Sequence, residues 1–188
     1  NRRLDEVCEI AKEVAESWTP GDPAAGSRMG PVISEAAWQK VQRLIKSGME
    51  SGATIVTGGI GKPAGLIDGY YCKPTVFRDV TNDMEIAREE IFGPVLCILG
   101  YDDEEQAIAI ANDTEYGLGG YVHSTNIEHA RKVAARIRAG YISLNNAGLD
   151  ISVPFGGYKH SGNGREFGEH AFGEFLELKS VLGYTPAN

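Results

Sequence analysis

The sequence has few cysteines. It contains three, Cys8, Cys72 and Cys97, an odd number that cannot all pair in disulfides within one chain. Two of them, Cys8 and Cys97, lie in apolar patterns typical of buried thiols, which favours a reducing compartment. A catalytic thiolate needs an electropositive, partly exposed environment. We therefore expect all three cysteines to be structural.

Long apolar runs are also missing. The longest, residues 91–101, is interrupted by Gly93 and Pro94 and is far too short to span a bilayer. The first six residues, Asn-Arg-Arg-Leu-Asp-Glu, do not have the pattern of a signal peptide. The sequence therefore predicts a cytoplasmic protein with no membrane partner.

Neither a basic block nor a cluster of metal ligands is present. The net charge of -8 is spread over the whole sequence, which argues against a surface that binds nucleic acid. None of the four histidines has a cysteine or histidine partner at the spacing of metal ligands. We therefore expect no nucleic-acid partner and no metal site, whereas small neutral or cationic partners remain open.

The composition is that of an ordinary globular protein. At 188 residues, with 42% hydrophobic and 23% charged residues, the chain is long enough for one domain with a sizeable core. Apolar residues at helical spacing predict a helix from Leu4 to Trp18 and a second from Ser34 to Met49. Strands are predicted over residues 53–57 and 70–77.

From Leu96 onward, predicted strands and helices alternate. Strands are expected at 96–101, 120–123 and 141–145, with helices at 103–111 and 127–138; Thr125 and Glu128 suggest a capping box for the second helix. Such alternation implies right-handed crossovers. The predicted fold class is α/β, with a mainly parallel sheet flanked by helices. Alternation over 175–182 predicts a last strand, which pairs with another subunit or forms a plain edge.

Residues 153–168 combine five glycines with two phenylalanines, a tyrosine and three charged side chains. A flexible linker would not need those larger side chains. The spacing Gly-x-Gly-x-x-x-Gly also differs from a dinucleotide fingerprint, and no strand leads directly into it. We interpret this glycine-rich stretch as a fixed, buried turn system beside a site.

Residues 89–94, Glu-Glu-Ile-Phe-Gly-Pro, place two carboxylates before an apolar turn. A carboxylate at such a place is commonly solvated or caps a helix. The functional alternative is a carboxylate that accepts hydrogen bonds from a vicinal diol such as a ribose, with the aromatic ring packed beside the ligand. Both alternatives are open from the residues alone.

Three segments in fixed order resemble the aldehyde dehydrogenase superfamily. They are Glu-Glu-Ile-Phe-Gly-Pro-Val at 89–95, Ala-Asn-Asp-Thr-Glu-Tyr-Gly-Leu at 111–118, and Pro-Phe-Gly-Gly-Tyr-Lys-His-Ser-Gly-Asn-Gly-Arg-Glu at 154–166. Gly-Pro-Val-Ile-Ser at 30–34 and Lys-Pro-Thr-Val at 73–76 extend the likeness. The chain is similar to the C-terminal part of these NAD(P)-dependent enzymes, which oxidise aldehydes to carboxylic acids.

The resemblance implies roles for individual residues. Glu90 would bind the hydroxyls of the nicotinamide ribose, and Phe92 and Leu118 would contact the nicotinamide. Lys40 lies on a helix that approaches the adenosine ribose in relatives. The resemblance also implies that Phe155 and the segment from Asn146 to Val153 wall the aldehyde tunnel. Arg165 and Glu177 match positions near a subunit interface, and the tail would contain an oligomerisation strand.

The family's catalytic groups are not found in this sequence. Relatives use a cysteine in a Gly-Gln-x-Cys context, a glutamate general base and an N-terminal nucleotide-binding domain, all upstream of the region that matches here. We therefore expect residues 1–170 to be the C-terminal part of the catalytic domain, with a tail at 171–188, and the isolated segment to be inactive. Expected partners are an aldehyde, NAD or NADP, the N-terminal part of the enzyme and further copies in a dimer or tetramer. The alternative is a non-catalytic module that keeps the fold for packing or oligomerisation.

Overall fold

Five α-helices and five strands form the framework of residues 3–183, the part of the chain that the computed structural model describes. Contacts between Cα atoms divide the chain into two compact units, Asn1–Ala107 and Ile108–Asn188. The division of the chain into a domain over 1–170 and a tail stays a prediction.

The first unit contains helices α1 (Leu4–Ser17), α2 (Glu35–Glu50) and α3 (Glu85–Arg88) and strands β1 (Thr54–Thr57), β2 (Thr75–Arg78) and β3 (Val95–Cys97). Strand β2 lies between the other two strands. It pairs with β1 in antiparallel and with β3 in parallel orientation. The predicted helices are confirmed to within about two residues at each end, whereas the strand predicted at 70–77 forms only from Thr75.

Helix α2 supplies most of the core of this unit. The Ser34 Oγ accepts a hydrogen bond from the Ala37 N–H at 3.2 Å, which caps the helix at its N-terminus. Val41, Leu44 and Ile45 are fully buried against Phe77 of β2. Burial of such side chains stabilises a fold by roughly 1.5–3 kcal/mol each, so α2 is held in place mainly by its apolar face.

The second unit contains helix α4 (Glu104–Asn112), which begins before the unit boundary, and strand β4 (Gly119–Val122), helix α5 (Ile127–Ala134) and strand β5 (Tyr141–Leu144). Strands β4 and β5 are parallel, with Gly119 opposite Tyr141, and α5 forms the crossover between them. Two of the three strand pairings in residues 3–183 are therefore parallel, but the strands form two small sheets. The α/β class is confirmed.

The capping box predicted for α5 is wrong. Asn126, not Thr125, is the N-cap, and its Oδ1 accepts a hydrogen bond from the His129 N–H at 3.1 Å. Glu128 instead binds Arg131 one turn further along the helix, with Oε1 2.6 Å from the Arg131 Nη1. Thr125 and Asn126 can each accept a hydrogen bond from the first turn of a helix. In the structure the Asn126 side chain is the one that reaches the free His129 N–H.

The tail contains no strand in its described part. A 3-10 helix spans Glu169–Phe175, and residues 176–183 are irregular. The apolar side chains of this segment are exposed, and Leu178 is completely so at 103%. The strand expected at 175–182 is therefore not formed within a single chain. Its pairing with another subunit stays a prediction.

Neither a membrane-spanning helix nor a cluster of metal ligands occurs among the residues that the structure describes. Among residues 3–183, no helix combines the length and apolar character that crossing a membrane requires. Within the same range, no group of three or more His, Cys, Asp or Glu side chains is placed to hold a metal ion.

Candidate functional site

Residues 89–94 form a tight turn between α3 and β3 in the first unit. The Glu89 N–H donates to the Glu85 carbonyl at 2.9 Å and so ends α3. On the other side of the turn, the Pro94 carbonyl accepts a hydrogen bond from the Thr75 N–H at 2.8 Å. Both ends of the turn are therefore tied to regular structure.

One face of α2 holds the turn. The Lys40 Nζ donates to the Glu90 backbone carbonyl at 2.5 Å. The Arg43 guanidinium and the Ser47 hydroxyl donate to the Glu85 carboxylate at 2.5 and 2.6 Å. Hydrogen bonds from Ser47 and Arg43 hold the pKa of Glu85 below its ordinary value. Positions 40, 43 and 47 share a helix face, so α2 acts as a rigid support for the turn.

Close packing further restricts this turn. A Cβ atom added to Gly93 would lie 2.5 Å from Cγ2 of Val41, so only glycine fits against α2 there. Phe92 has a φ of 51°, a conformation that a bulky residue adopts only when its surroundings impose it. Its ring is nevertheless 78% exposed. Strain of this kind is typical of functional positions.

The turn presents two groups to solvent. Within residues 3–183 the Glu90 carboxylate is exposed and makes no hydrogen bond or ion pair. It can therefore accept hydrogen bonds from a ligand diol, and the exposed Phe92 ring offers an apolar surface two residues away. Of the residues predicted to bind a cofactor, the structure brings Lys40 and Glu90 together. The contact of Lys40 is with the protein backbone.

In the second unit, two of the sequence motifs interlock. The Gly117 carbonyl accepts hydrogen bonds from the N–H groups of Gly140 and Tyr158, at 2.9 and 2.8 Å. The Gly117 N–H donates to the Ser161 Oγ at 3.1 Å. Residues 111–118 are thus hydrogen-bonded to the glycine-rich stretch. These contacts fix the position of Leu118 and of the start of β4, which follows it.

Lys159 strengthens the same junction. Its Nζ donates to the Asn112 and Thr114 carbonyls, at 2.9 and 2.8 Å, where α4 ends. The carbonyls at a helix C-terminus lack partners within the helix and favour a cation. The sequence pattern alone predicts no role for Lys159. The sequence shows only a basic residue among glycines, and this pattern does not identify the C-terminus of α4 as the group that Lys159 binds.

Arg165 holds the glycine-rich stretch from within. Its Nη1 donates to the carbonyls of Gly157, Asn163 and Gly164 at 2.8–2.9 Å, and its guanidinium lies 5.4 Å from the centre of the Tyr158 ring. The prediction of a fixed turn system is confirmed. The prediction that it is buried is wrong, because within 153–168 only Gly157 is buried. The interface roles of Arg165 and of Glu177, which is exposed in the tail, stay predictions.

A cavity of about 220 Å³ opens in this unit between β4, β5 and the loop that follows β5. Its apolar lining includes Tyr121, Tyr141, Leu149, Val153, Pro154 and Phe155. The Phe155 ring centre lies 5.4 Å from that of Tyr141. Of the residues predicted to wall the substrate tunnel, Phe155 and Val153 line this cavity and Asn146 does not. Leu118 lines a neighbouring groove together with Phe155 and Arg165.

The three cysteines are free thiols. Burial raises the pKa of Cys8 and of Cys72. It also raises the pKa of the half-buried Cys97 thiol to about 11, and its Sγ lies 3.6 Å from the Ile86 carbonyl that it approaches as a donor. Thiols with raised pKa values are poor nucleophiles at neutral pH, as expected for structural cysteines.

Comparison with known proteins gives consistent matches over the whole chain. Residues 1–181 match the model of the aldehyde dehydrogenase family. The 3-succinoylsemialdehyde-pyridine dehydrogenase of a Pseudomonas species is 51% identical over 183 residues, which are 97% of this chain and 38% of the relative. The chain therefore spans well under half the length of the curated relatives that it matches.

Solved structures that are similar to this chain are also aldehyde dehydrogenases. Aldehyde dehydrogenase C of Pseudomonas syringae, a variant in complex with NAD+ and octanal, matches with a TM-score of 0.95 and 49% identity, over 100% of this chain and 39% of that one. An aldehyde dehydrogenase of Mycobacterium tuberculosis in complex with NAD+ matches with a TM-score of 0.90 and 44% identity, over 98% of this chain and 39% of that one.

Proposed function

Because this chain belongs to the aldehyde dehydrogenase family, we propose that it is the C-terminal part of an NAD(P)-dependent enzyme that oxidises an aldehyde to a carboxylic acid. The observation that carries the proposal is the turn at 89–94, which holds an unpaired carboxylate and an exposed aromatic ring on a rigid support. A purely structural module would have no physical need for either group at that place.

The proposed reaction has three steps. A cysteine thiolate adds to the aldehyde carbon and forms a thiohemiacetal, which then loses its hydride and becomes a thioester. Water, activated by a glutamate base, hydrolyses the thioester, so that the acid leaves and the thiol is restored. In this proposal the nucleophile and the base belong to the preceding part of the enzyme, and Cys8, Cys72 and Cys97 are not nucleophiles.

NAD or NADP fits the groups that the turn presents. When bound, the cofactor supplies the hydride acceptor. Both solved structures named above, which are similar to this chain, are complexes with NAD+. Glu90 would accept hydrogen bonds from the nicotinamide ribose hydroxyls, while Phe92 and Leu118 would contact the ring. Such contacts contribute to the rate by positioning the reacting atoms, since the hydride must travel a short, aligned path.

We propose that Lys40 acts through Glu90. The resemblance placed it near the adenosine ribose, but its ammonium group donates to the Glu90 carbonyl. This contact supports assigning Lys40 as a positioning residue that keeps the turn, and with it the Glu90 carboxylate, in the geometry that binds the ribose.

The other proposed partners follow from the same assignment. The aldehyde would contact Phe155, Val153 and Asn146, and the N-terminal nucleotide-binding part would complete the cofactor site. The tail, with Glu177, and Arg165 would lie near a subunit interface in a dimer or tetramer. The exposed apolar residues of the tail support this part of the proposal, because large exposed apolar patches commonly mark sites of protein–protein interaction. Three free thiols support a cytoplasmic location.

The activity can be tested on the native polypeptide. We expect its mass to exceed that of the 20.3 kDa chain and its sequence to carry Gly-Gln-x-Cys before Asn1. That protein should reduce NAD+ or NADP+ when an aldehyde is added, and the 188-residue segment should not. A native polypeptide that begins near Asn1 would contradict the proposal and favour the non-catalytic module. Activity of the segment that disappears when Cys8, Cys72 or Cys97 is replaced would instead contradict the assignment of the nucleophile to the preceding part of the enzyme.

The role of Lys40 gives a second prediction. In the complete enzyme, Lys40→Met is expected to raise KM for NAD+ by about 3- to 10-fold and to lower kcat by a similar factor, because loss of one charge-assisted hydrogen bond displaces the turn and with it the Glu90 carboxylate. Lys40→Arg should restore most of the affinity. Lys46→Met is the matched control, because Lys46 lies on the same helix and pairs only with Glu50, at 3.5 Å.

Inhibition by ADP separates the two possible roles of Lys40. ADP contains the adenosine ribose but lacks the nicotinamide ribose. If Lys40 positions Glu90, the inhibition constant of ADP stays the same in Lys40→Met while KM for NAD+ rises. A parallel rise in both constants would show that Lys40 binds the adenosine side and would contradict the positioning role.

A further inference from the structure

The cavity beside Phe155 has apolar walls. Aromatic side chains from β4 and β5, Tyr121 and Tyr141, form one side. Leu149, Val153 and Phe155 contribute aliphatic and aromatic surface from the loop after β5. Leu149 is 69% exposed and Val153 51%, so both present apolar surface that a ligand can cover. Burial of such apolar surface favours binding of an apolar ligand.

The polar side chains that line this cavity are already hydrogen-bonded within the protein. The Ser143 Oγ donates to the Ala147 carbonyl at 2.8 Å. The hydroxyls of Tyr121 and Tyr141 lie 3.4 Å apart, and this hydrogen bond together with burial raises the pKa of Tyr141. The Tyr141 hydroxyl is therefore neutral at physiological pH. A polar group at the end of a substrate would find few groups here to replace its water.

Asp150 is the one charged residue among those that line the cavity. Its Oδ1 accepts hydrogen bonds from the Ser152 hydroxyl and N–H at 2.6 and 2.8 Å. These hydrogen bonds lower the pKa of Asp150, so its carboxyl group is ionised at neutral pH. The lining contains no arginine, lysine or histidine. Among the described residues that line it, the cavity therefore has one negative charge and no cationic side chain that would pair with an anion.

From this combination we infer that the enzyme selects aldehydes with an uncharged apolar tail and discriminates against aldehydes that carry a carboxylate at the far end. The inference rests on the proposed function, since it assigns the cavity to the tail of the aldehyde. An aliphatic tail would cover Leu149 and Val153 and pack against the Tyr141 and Phe155 rings. A terminal carboxylate would lose water without gaining a partner and would be repelled by Asp150.

The expected discrimination is large. A charged group that enters an apolar site and finds no partner there loses the free energy of its hydration without compensation. We expect kcat/KM for the neutral aldehyde to exceed that for the carboxylated one by about 100-fold. The difference should decrease when Asp150 loses its charge and reverse when the wall gains a cation.

The test uses two aldehydes of equal length, octanal and 8-oxooctanoate, with the complete enzyme. NADH or NADPH formation gives kcat/KM for each. Reaction with octanal and a kcat/KM at least tenfold lower for 8-oxooctanoate supports the inference. A kcat/KM for 8-oxooctanoate that is less than tenfold lower, equal or higher overturns the inference and leaves the proposed function intact. If neither these two aldehydes nor shorter and aromatic ones reduce the cofactor, the proposed function itself fails.

Two variants assign the selectivity to this cavity. Asp150→Asn keeps an oxygen that can accept both hydrogen bonds from Ser152 and removes only the charge, so the octanal preference should fall about tenfold. Leu149→Arg adds a cation and should favour 8-oxooctanoate, whereas Leu149→Met should keep the original preference. Asp68→Asn, the same change on a loop of the other unit, is the control. An unchanged ratio in both Asp150→Asn and Leu149→Arg would overturn the inference.

Discussion

Replacing Glu90 by glutamine in the complete enzyme is expected to lower kcat by about 10- to 100-fold while the free energy of unfolding stays the same. A hydrogen bond to a charged group contributes about 1.5–3 kcal/mol and one to a neutral acceptor about 0.5–1.5 kcal/mol, so the amide loses roughly 1 kcal/mol or more for each of the two ribose hydroxyls. If these contacts hold the nicotinamide in its reactive position, their loss appears in the rate. Glutamine has nearly the same shape, and the backbone carbonyl that Lys40 binds is unchanged.

The structure gives a reason to expect no loss of stability. The Glu90 side chain is exposed and has no partner within residues 3–183, so its replacement breaks no contact in the described part of the protein. Glu89→Gln is the matched control, because Glu89 is the exposed neighbour and its contribution to the turn is the backbone N–H that ends α3. Its kcat should remain within about twofold of the parent enzyme.

Steady-state kinetics and thermal unfolding of the same preparations distinguish the hypothesis of an enzyme portion from that of a non-catalytic module. Impaired turnover in Glu90→Gln with an unchanged melting temperature agrees with a cofactor contact. Lower stability with unchanged turnover per folded molecule would instead assign Glu90 a structural role. That result would remove the main support for an enzyme portion and favour the non-catalytic module.

Long elements could be predicted from the sequence because their own apolar pattern defines them. In α2, Val41, Leu44 and Ile45 recur at helical spacing, and all three are buried in the structure. Helix α3 could not be found in this way. Its four residues include one buried side chain, Ile86, and the helix is held by contacts from Arg43 and Ser47 about 40 residues earlier. Such a segment has too little periodicity to identify.

Strand ends were less predictable for a related reason. The strand expected at 70–77 begins with the β-forming residues Tyr70 and Tyr71, but it pairs with β3 only from Thr75, opposite Val95. Where pairing begins depends on the partner strand, which the local sequence does not specify. The same limit applies to the tail, whose alternating pattern is real although its described part has no partner strand in the single chain.

The motifs identified candidate site residues but not the contacts between them. Lys40 and Glu90 are 50 residues apart in the sequence, and their hydrogen bond is visible only in the structure. Arg165 was expected near an interface, yet its guanidinium is used to hold three carbonyls of its own turn. Long basic side chains can serve several roles at one position, and only geometry distinguishes them.

The second large effect is expected at Gly140, where the end of the α5–β5 connection meets the glycine-rich stretch. A Cβ atom on residue 140 would lie 1.6 Å from the Gly156 carbonyl oxygen and 2.6 Å from its carbon. Both atoms belong to the backbone, so no side-chain rotation can relieve the overlap. Gly140→Ala must therefore displace residues 156–157 or break the hydrogen bond from the Gly140 N–H to the Gly117 carbonyl.

We expect Gly140→Ala to destabilise the enzyme by about 3 kcal/mol or more, since overpacking against a fixed backbone exceeds the usual cost of an added methyl group. Phe155 directly precedes the displaced residues, so kcat/KM for the aldehyde should also fall in the molecules that remain folded.

Gly173→Ala is the matched control, because a Cβ there meets nothing within 4 Å and its effect should stay within about 0.5 kcal/mol. Chemical denaturation and aldehyde kinetics on both variants measure the two effects. If Gly140→Ala were as stable as Gly173→Ala, the close approach of the two backbones, and with it the proposed anchoring of Phe155, would be contradicted.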